Sequence, residues 1–328
     1  MAFIRDKIWR YGIGVFFVLG LNFVIVQLLP GDPLVHLVGE EAYFHLQGQK
    51  PQEIKALRAK YGLDRPLHER FLSFITNTVR FRLGWSYHHG QPVARVILFR
   101  LKWTLVLLCP ALLVSAALGL FLGCLSGRPG RNAADRMMTP LFLILYAVPA
   151  YCLAFLLLLA FASMGDLLPL GGMRDATRGA ALSWWDVVRH MVLPQTVLVL
   201  HITTYLYMIM RSTVRQTFRG NFVITALGKG LKPKRVLLHH VLLNALPPYV
   251  AALAVNFGFI AGGALLVEVV FSWQGMGSLM YGAVIARDYP ILSGCFLVLS
   301  LSVIGANMAA DILCAYIDPR LRDDVAVR

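Results

Sequence analysis

The side chains in this sequence most able to do chemistry are its histidines. His88 and His89 are adjacent, and three more precede them in the same segment: His36, His45 and His68. Imidazole suits nickel and other transition metals. Adjacent residues rarely present two ligands to one ion, however, and scattered histidines are more often solvated. We therefore predict no resident metal site, although a role in handling metal stays open.

Three ionisable residues interrupt otherwise apolar stretches, namely His201, Glu268 and Asp311. Ionisable groups inside a membrane often mark a proton or ion pathway. His201 has no second ligand in its own helix, and Glu268 and Asp311 stand near the ends of their apolar runs, where water or headgroups reach them. We therefore interpret all three as hydrogen-bonded structural residues.

Catalytic and nucleotide-binding signatures are missing from the sequence. The segments GRPGRNA and GKGLKPK both lack the GxxxxGK[ST] spacing that cradles phosphates. His239 and His240 form a candidate acid–base pair, but no carboxylate or thiol stands near them in sequence. We predict no catalytic residues and no cofactor, which makes a membrane enzyme a weak alternative.

The composition is that of a membrane protein. Of the 328 residues, 58% are hydrophobic and 15% are charged, which is far from the average of soluble chains. A helix of about 20 apolar residues crosses a bilayer. The sequence predicts an all-α polytopic fold in a single domain, 1–328, with six transmembrane helices at about 11–29, 104–125, 139–164, 191–210, 248–271 and 290–316.

Basic residues predict the orientation of these spans. Lys and Arg collect before span 1, between spans 2 and 3, between spans 4 and 5, and in the C-terminal tail. The positive-inside rule makes these segments cytoplasmic and places both termini inside. Because topology accounts for much of the net charge of +14, we predict no binding to nucleic acid.

The first extracytoplasmic loop, residues 30–103, is long and also basic. Long loops cross a membrane largely regardless of charge. Within it, PQEIKALRAKYGL opens with Pro51 at a favourable first helical position. PLHERFLSFITNTVRF spaces Leu67, Phe71, Phe74 and Val79 along one helical face. These patterns predict short amphipathic helices on the outer surface.

The cytoplasmic loop 211–247 is longer than a hairpin between two spans requires. A short helix over about 221–227, stopped by Gly228 or Gly230, would present Phe222 to a groove on another protein. The small residues of ALGKG would let that protein's backbone approach closely. The simpler alternative is a basic solvated loop that only fixes topology.

This loop resembles a known element. RSTVRQTFRGNFVITALGKGLKPKRVLLHHVLLNALPP is similar to the EAA loop of binding-protein-dependent ABC importers, specifically the dipeptide, oligopeptide and nickel permease family. The likeness covers nearly the whole chain. Further matching motifs follow in order: LLPGDP at 28–33, YGLDRPL at 61–67, LGWS at 83–86, PVARVILFRL at 92–101, HMVLP at 190–194, EVVFSWQGMGSLM at 268–280, RDYPIL at 287–292 and DPRLR at 318–322.

The resemblance implies a permease subunit of an ATP-driven importer in the bacterial inner membrane, surrounded by lipid. The implied partners are a second homologous permease, two cytoplasmic ATPases and an extracytoplasmic substrate-binding protein, which selects peptide or nickel as cargo. The loop would dock into a cleft on an ATPase. The implied coupling residues are Asn221, Phe222, Thr225, Ala226, Gly228, Lys229, Gly230 and Leu231.

The loop departs from the family pattern at five positions. Gln216 stands for Glu, Asn221 for Asp, Phe222 for Tyr, Leu227 for Arg and Gly228 for Ala. Fewer polar anchors predict a partner with a more apolar cleft. The added glycine lowers helix propensity by roughly 1 kcal/mol relative to Ala, so we expect the docking helix to end a turn early.

The alternative from another class is a stand-alone secondary transporter or channel. That reading predicts activity without partners and a coupling site inside the bundle, whereas the importer reading predicts inactivity without an ATPase. The residues that line the translocation path are not predicted.

Overall fold

A computed structural model describes residues 2–28, 34, 43–45, 48, 51–60, 64–86, 88–130, 133–165, 167–174, 183–259 and 264–317. These residues are mostly helical, as predicted. They also form one hairpin of two-residue antiparallel strands, β1 (Trp85–Ser86) and β2 (Gln91–Pro92). The DPRLR motif and most of LLPGDP lie outside the described residues.

The helices are numbered in chain order. Two helices form in the first loop where the sequence predicts them, and their position on the outer surface stays a prediction. The bounds are α1 (Ala2–Leu28), α2 (Pro51–Lys60), α3 (Leu67–Val79), α4 (Val93–Ser126), α5 (Ala133–Ala147), α6 (Ala150–Leu157, continued by a π-helical turn at Leu158–Ser163), α7 (Trp184–Thr217), α8 (Asn221–Gly228), α9 (Pro233–Phe259), α10 (Leu265–Val270), α11 (Met276–Ile285) and α12 (Tyr289–Ile317).

Four helices of the described chain are long and apolar enough to cross a membrane: α4, α7, α9 and α12. The pair α5–α6, bent by 97° at Val148–Pro149, adds a fifth if it counts as one span. In α1 the apolar stretch Trp9–Val24 is shorter. The multi-pass membrane character is therefore confirmed, and the number of six spans stays a prediction.

The helices that flank the predicted cytoplasmic loop are longer than the sequence suggests. α7 continues to Thr217 and α9 begins at Pro233, so much of 211–247 is helical. A helix need not end where its charges begin, because basic side chains can extend out of the apolar layer or pair with acids. Arg211 pairs with an acid: its Nε lies 2.5 Å from Asp135 Oδ1 at the start of α5.

The predicted fifth span, 248–271, is divided differently in the structure. α9 ends at Phe259, and residues 265–270 form the separate helix α10. Ala264, directly before α10, has a non-helical backbone with φ = −90° and ψ = 72°. Pro247–Pro248 lie inside α9 instead of at its start, as membrane helices tolerate when neighbouring groups satisfy the freed carbonyls.

A row of glycines brings α4 and α7 into close contact. Gly119, Gly123 and Gly127 follow each other at helical spacing at the C-terminal end of α4. A Cβ atom on Gly119 would lie 2.7 Å from Leu206 Cβ, and one on Gly123 would lie 2.6 Å from Met210 Cβ. Because both partners advance by four residues in the same sense, the two helices are parallel. The segment between them must therefore return to the side on which α4 begins.

Polar side chains join α1 to α12 in the antiparallel sense. Lys7 Nζ lies 2.5 Å from Asp311 Oδ2, and Tyr11 Oη donates to the same oxygen at 2.7 Å. Further along, Asn22 Nδ2 donates to the Ser293 carbonyl at 3.0 Å, and Ser293 Oγ donates to Asn22 Oδ1 at 2.6 Å. Hydrogen bonds of this kind hold helices together where lipid supplies no hydrophobic driving force. The start of α1 and the end of α12 thus lie at the same end of the pair; that this end is cytoplasmic stays a prediction.

The N-terminus of α11 is capped by side chains from two other helices. Thr104 Oγ1 on α4 accepts a hydrogen bond from Met276 N at 2.7 Å, and Glu268 Oε2 on α10 accepts one from Ser278 N at 3.0 Å. Thr104 also donates to Glu268 Oε1 at 3.0 Å. Gly275 is required beside this carboxylate, because a Cβ there would collide with both of its oxygens. Glu268 is thus a structural residue, and it is fully buried instead of reached by water.

The glycine row predicts a stability difference between two matched substitutions. Gly123→Ala places a methyl group against Met210, and overpacking of this kind typically costs about 1–3 kcal/mol. Gly305→Ala in α12 meets open space and should be neutral or stabilising by up to ~1 kcal/mol. The thermal unfolding midpoints of both purified variants in detergent check this. Equal midpoints would show that α4 and α7 are not in close contact.

Candidate coupling site

α8 is a short helix of 8 residues between α7 and α9. It begins directly after Gly220 and is terminated at Gly230, which adopts φ = +82°. The N–H groups of Gly230 and Leu231 donate to the carbonyls of Leu227 at 2.9 Å and Ala226 at 3.3 Å, the pattern of a Schellman cap. The helix predicted for this loop is therefore confirmed, together with its glycine stop.

The two faces of α8 have different environments although both are apolar. Val223 and Ala226 are buried, with 1% and 6% of their surface exposed. Phe222, Ile224 and Leu227 are exposed to 46%, 62% and 42%; by helical spacing Phe222 and Leu227 flank the buried pair, and Ile224 lies opposite it. We refer to these three side chains as the open face of α8.

The buried face of α8 packs against both neighbouring helices. Val223 and Ala226 belong to one hydrophobic cluster with residues from the end of α7 and the start of α9. The members from those two helices include Leu206, Met210, Val214, Val236, Leu237 and Val241. α8 is therefore packed against the adjoining ends of both α7 and α9.

Basic side chains are frequent on both sides of α8 in the sequence. Those exposed after the end of α7 are Arg219, Lys229, Lys232, Lys234 and Arg235. Two arginines of α7 are engaged by an acid instead: Arg211 Nη2 donates to Asp135 Oδ2 at 3.2 Å, and Arg215 Nη1 lies 3.5 Å from the same oxygen. These contacts tie the end of α7 to the start of α5.

The eight coupling residues predicted from sequence do not all face outward. Those exposed are Asn221, Phe222, Thr225, Gly228, Lys229 and Gly230. Ala226 is buried against its own chain and Leu231 is half-buried. The expectation that the whole ALGKG stretch admits a partner's backbone therefore fails at Ala226, because this side chain fills the cluster shared with α7 and α9.

His88, His89 and His201 lie away from α8, and His36 lies outside the described residues. His88 and His89 occupy the turn of the β-hairpin, where the backbone N–H of His89 donates to Ser86 Oγ at 3.1 Å. Burial lowers the pKa of His89, and the nearby His88 adds to this effect. His201 is half-buried within α7. Among the described residues, no three His, Cys, Asp or Glu side chains come together as a metal site.

Sequence reasoning missed the contacts that support α7 beside this site. Asp135 and Arg211 are separated by 76 positions, and no local pattern connects them. Thr139 Oγ1 lies 2.8 Å from Asp135 Oδ1 and 2.9 Å from Tyr207 Oη, and the Tyr207 ring stacks on Phe142 with centroids 4.3 Å apart. The glycine row of α4 was missed as well, although its GxxxGxxxG spacing in the sequence is a signal for close helix packing.

Comparison with known proteins identifies the family. Residues 119–323 match the family described as the binding-protein-dependent transport system inner membrane component. A Brucella ovis protein named as a peptide permease is 35% identical over 324 residues, covering 97% of this chain and 99% of the relative. The glutathione transport system permease GsiC of Escherichia coli K12 is 32% identical over 308 residues, covering 94% of each chain. The chain is therefore a multi-pass protein of the bacterial inner membrane and belongs to the family of inner-membrane components of binding-protein-dependent transport systems.

Proposed function

We propose that this chain is one permease subunit of an ATP-driven importer and that α8 couples it to a separate ATPase. The supporting observation is the division of α8 into a buried face fixed to α7 and α9 and an open face that is equally apolar. A loop that only fixed topology would have no reason to expose Phe222, Ile224 and Leu227 together. Apolar anchors inside a polar rim are the usual composition of a protein-binding surface.

The departures from the family pattern bear on the shape of the partner's groove. Phe222 and Leu227 stand where the family has Tyr and Arg, and both are on the open face. A leucine offers no charged or hydrogen-bonding group. The groove that accepts α8 should therefore be lined by apolar side chains at these two positions, and an ATPase adapted to the usual pattern should bind this chain more weakly.

The neighbouring contacts provide a route from α8 into the membrane. α7 is held along its length by the glycines of α4 and at its end by Asp135 of α5. A force applied to α8 should therefore move α7 together with α4 and α5 instead of bending α7 locally. α9 receives the same force through Val236 and Leu237, where its π-helical turn, Leu237–Val241, begins. Such turns often occur at functional sites.

The complete importer, by this proposal, contains a second permease of the same family, two cytoplasmic ATPases and an extracytoplasmic capture protein. The names of the relatives support a cargo of the peptide class, which includes the tripeptide glutathione. Nickel, suggested by the wider family resemblance, is the competing cargo that an uptake experiment must include.

Uptake should require ATP and the partner subunits. Vesicles that contain this chain with its second permease and ATPases are supplied with capture protein and labelled dipeptide, glutathione or Ni²⁺. We expect ATP-dependent accumulation of a peptide-class substrate and none when the ATPase cannot bind ATP. Accumulation in vesicles that contain this chain alone would instead establish a stand-alone transporter or channel.

Alanine substitutions on the two faces of α8 should have separable effects. Phe222→Ala and Ile224→Ala remove exposed side chains, so the thermal stability of the isolated chain should not change while ATPase affinity falls by about tenfold or more, or ~1.4 kcal/mol. Val223→Ala removes two buried methyl groups and should destabilise the chain by about 1.6 kcal/mol. Melting curves and titration with the purified ATPase check both. Unchanged affinity in the double variant Phe222→Ala, Ile224→Ala would show that the open face does not dock.

The two glycines of the coupling segment should respond oppositely to alanine. Both have open space around them, so only backbone conformation differs. Gly228→Ala extends a helical position and should favour the helix by about 1 kcal/mol, whereas Gly230→Ala must adopt φ near +82° and should cost about 1–2 kcal/mol. ATP-dependent uptake should persist in the first variant and drop several-fold in the second. Equal uptake in both would mean that the cap at Gly230 does not position α8.

A further inference from the structure

The apolar side of α3 is only partly covered by the rest of the chain. The Phe71 ring lies 5.3 Å from the Phe23 ring and 6.0 Å from the Phe16 ring, measured between centroids, and Phe74 lies 5.7 Å from Phe23. These contacts fix α3 against α1. Val79, predicted on the same face, is instead 71% exposed.

Exposed apolar side chains lie along one flank of α3 and just beyond its end. Leu72 and Val79 are seven residues apart, which places them on one flank of the helix, and they are 60% and 71% exposed. Phe81, just beyond the helix end, is 70% exposed. Arg80 and Arg82 on either side of Phe81 are exposed as well. We call these five side chains the anchor surface.

The backbone at Phe81 is strained. It adopts φ = +55°, and its N–H donates to the Thr78 carbonyl at 2.9 Å while that of Arg82 donates to Asn77 at 2.8 Å. This is the helix-terminating position at which glycine is preferred, and a bulky residue there is an outlier. Since most of the ring is exposed, packing within the described chain does not explain why phenylalanine occupies it. Strain of this kind points to a role for the side chain itself.

The N-terminal end of α3 lies where the apolar part of α1 ends. Arg70 Nη2 donates to Gln27 Oε1 at 2.7 Å. The apolar stretch of α1 is Trp9–Val24, so Gln27 stands about 4.5 Å beyond it along the helix axis. The start of α3 is therefore level with the edge of the apolar layer.

The C-terminal end of α3 reaches the same level by independent contacts. Leu83, two residues after Phe81, has its Cδ1 3.6 Å from the Cβ position of Gly294 in α12. The adjacent Ser293 is hydrogen-bonded to Asn22 of α1. Both ends of α3 thus lie close to the end of the apolar stretch, so α3 runs along this edge. A helix in this position, apolar on one side and polar on the other, is characteristic of the membrane interface.

We propose that the anchor surface binds phospholipid of the outer leaflet, with Leu72, Val79 and Phe81 among the acyl chains and the two arginines on phosphate oxygens. Guanidinium groups bind phosphate in bidentate fashion, and aromatic side chains are enriched at this depth. α1, on which α3 packs, also exposes apolar side chains: Phe16, which contacts Phe71, is itself 61% exposed. Phospholipid therefore matches both the apolar and the charged components of the surface.

Photocrosslinking in the intact importer identifies the occupant directly. Phe81→p-benzoylphenylalanine is irradiated in cell membranes, and Phe222→p-benzoylphenylalanine, at an equally aromatic exposed position on α8, serves as the control. We expect a phospholipid mass adduct at position 81. Exclusive crosslinking of position 81 to another polypeptide overturns the proposal. The proposal is also overturned if the position-81 variant gives no lipid adduct under conditions in which the position-222 variant crosslinks. An ATPase adduct at position 222 tests the coupling proposal separately, so the two can fail independently.

Two variants distinguish lipid binding from a structural role. Hydrogen exchange of residues 67–82 is compared in nanodiscs of phosphatidylcholine alone and of phosphatidylcholine with phosphatidylglycerol. We expect at least fivefold slower exchange with the anionic lipid in the unmodified chain, and loss of that difference in Phe81→Gly and in the double variant Arg80→Gln, Arg82→Gln. Phe81→Gly should melt no lower than the unmodified chain, since glycine relieves the strain. The proposal is overturned if the unmodified chain exchanges at the same rate in both kinds of nanodisc. It is also overturned if both variants keep the difference between the two kinds of nanodisc.

Discussion

The close approach of α4 and α7 through Gly119, Gly123 and Gly127 is the constraint on which the rest of the structure depends. It sets the two longest helices parallel and leaves no space between their backbones. α7 then leads directly into α8. The position of the exposed α8 surface is consequently determined by contacts deep inside the bundle, where lipid cannot compete for them.

Polar groups in the apolar part of the molecule serve mainly to join helices. Glu268 and Thr104 fix the start of α11, and Asn22 and Ser293 join α1 to α12. Thr104 and Glu268 are 164 positions apart, and Asn22 and Ser293 are 271 positions apart, so these two contacts restrict the fold more than a local hydrogen bond would. In a layer without water such groups are costly unless they are paired. Their pairing therefore specifies which helices become neighbours.

Local chemistry explains what the sequence could predict. The start of α2 at Pro51, the extent of α3 and the stop of α8 at Gly230 depend on neighbouring residues alone, and the structure confirms them. The true ends of α7 and α9 depend on partners such as Asp135 that are distant in sequence, and hydropathy does not register them. Burial of Ala226 and Glu268 likewise results from packing between helices. The glycine row carried a tertiary signal in a contiguous stretch, and the sequence analysis did not use it.

The pairing of the first helix with the last has a consequence for biosynthesis. A ribosome delivers α1 first, and Ser293 follows Asn22 by 271 residues, an interval on the order of 15–50 s at ordinary rates of translation. During that interval the amide of Asn22 lacks its native acceptor inside the bilayer. A nascent chain that stalls before α12 is synthesised leaves the Asn22 amide without this partner. The state of Asn22 in α1 therefore distinguishes an unfinished molecule from a mature one.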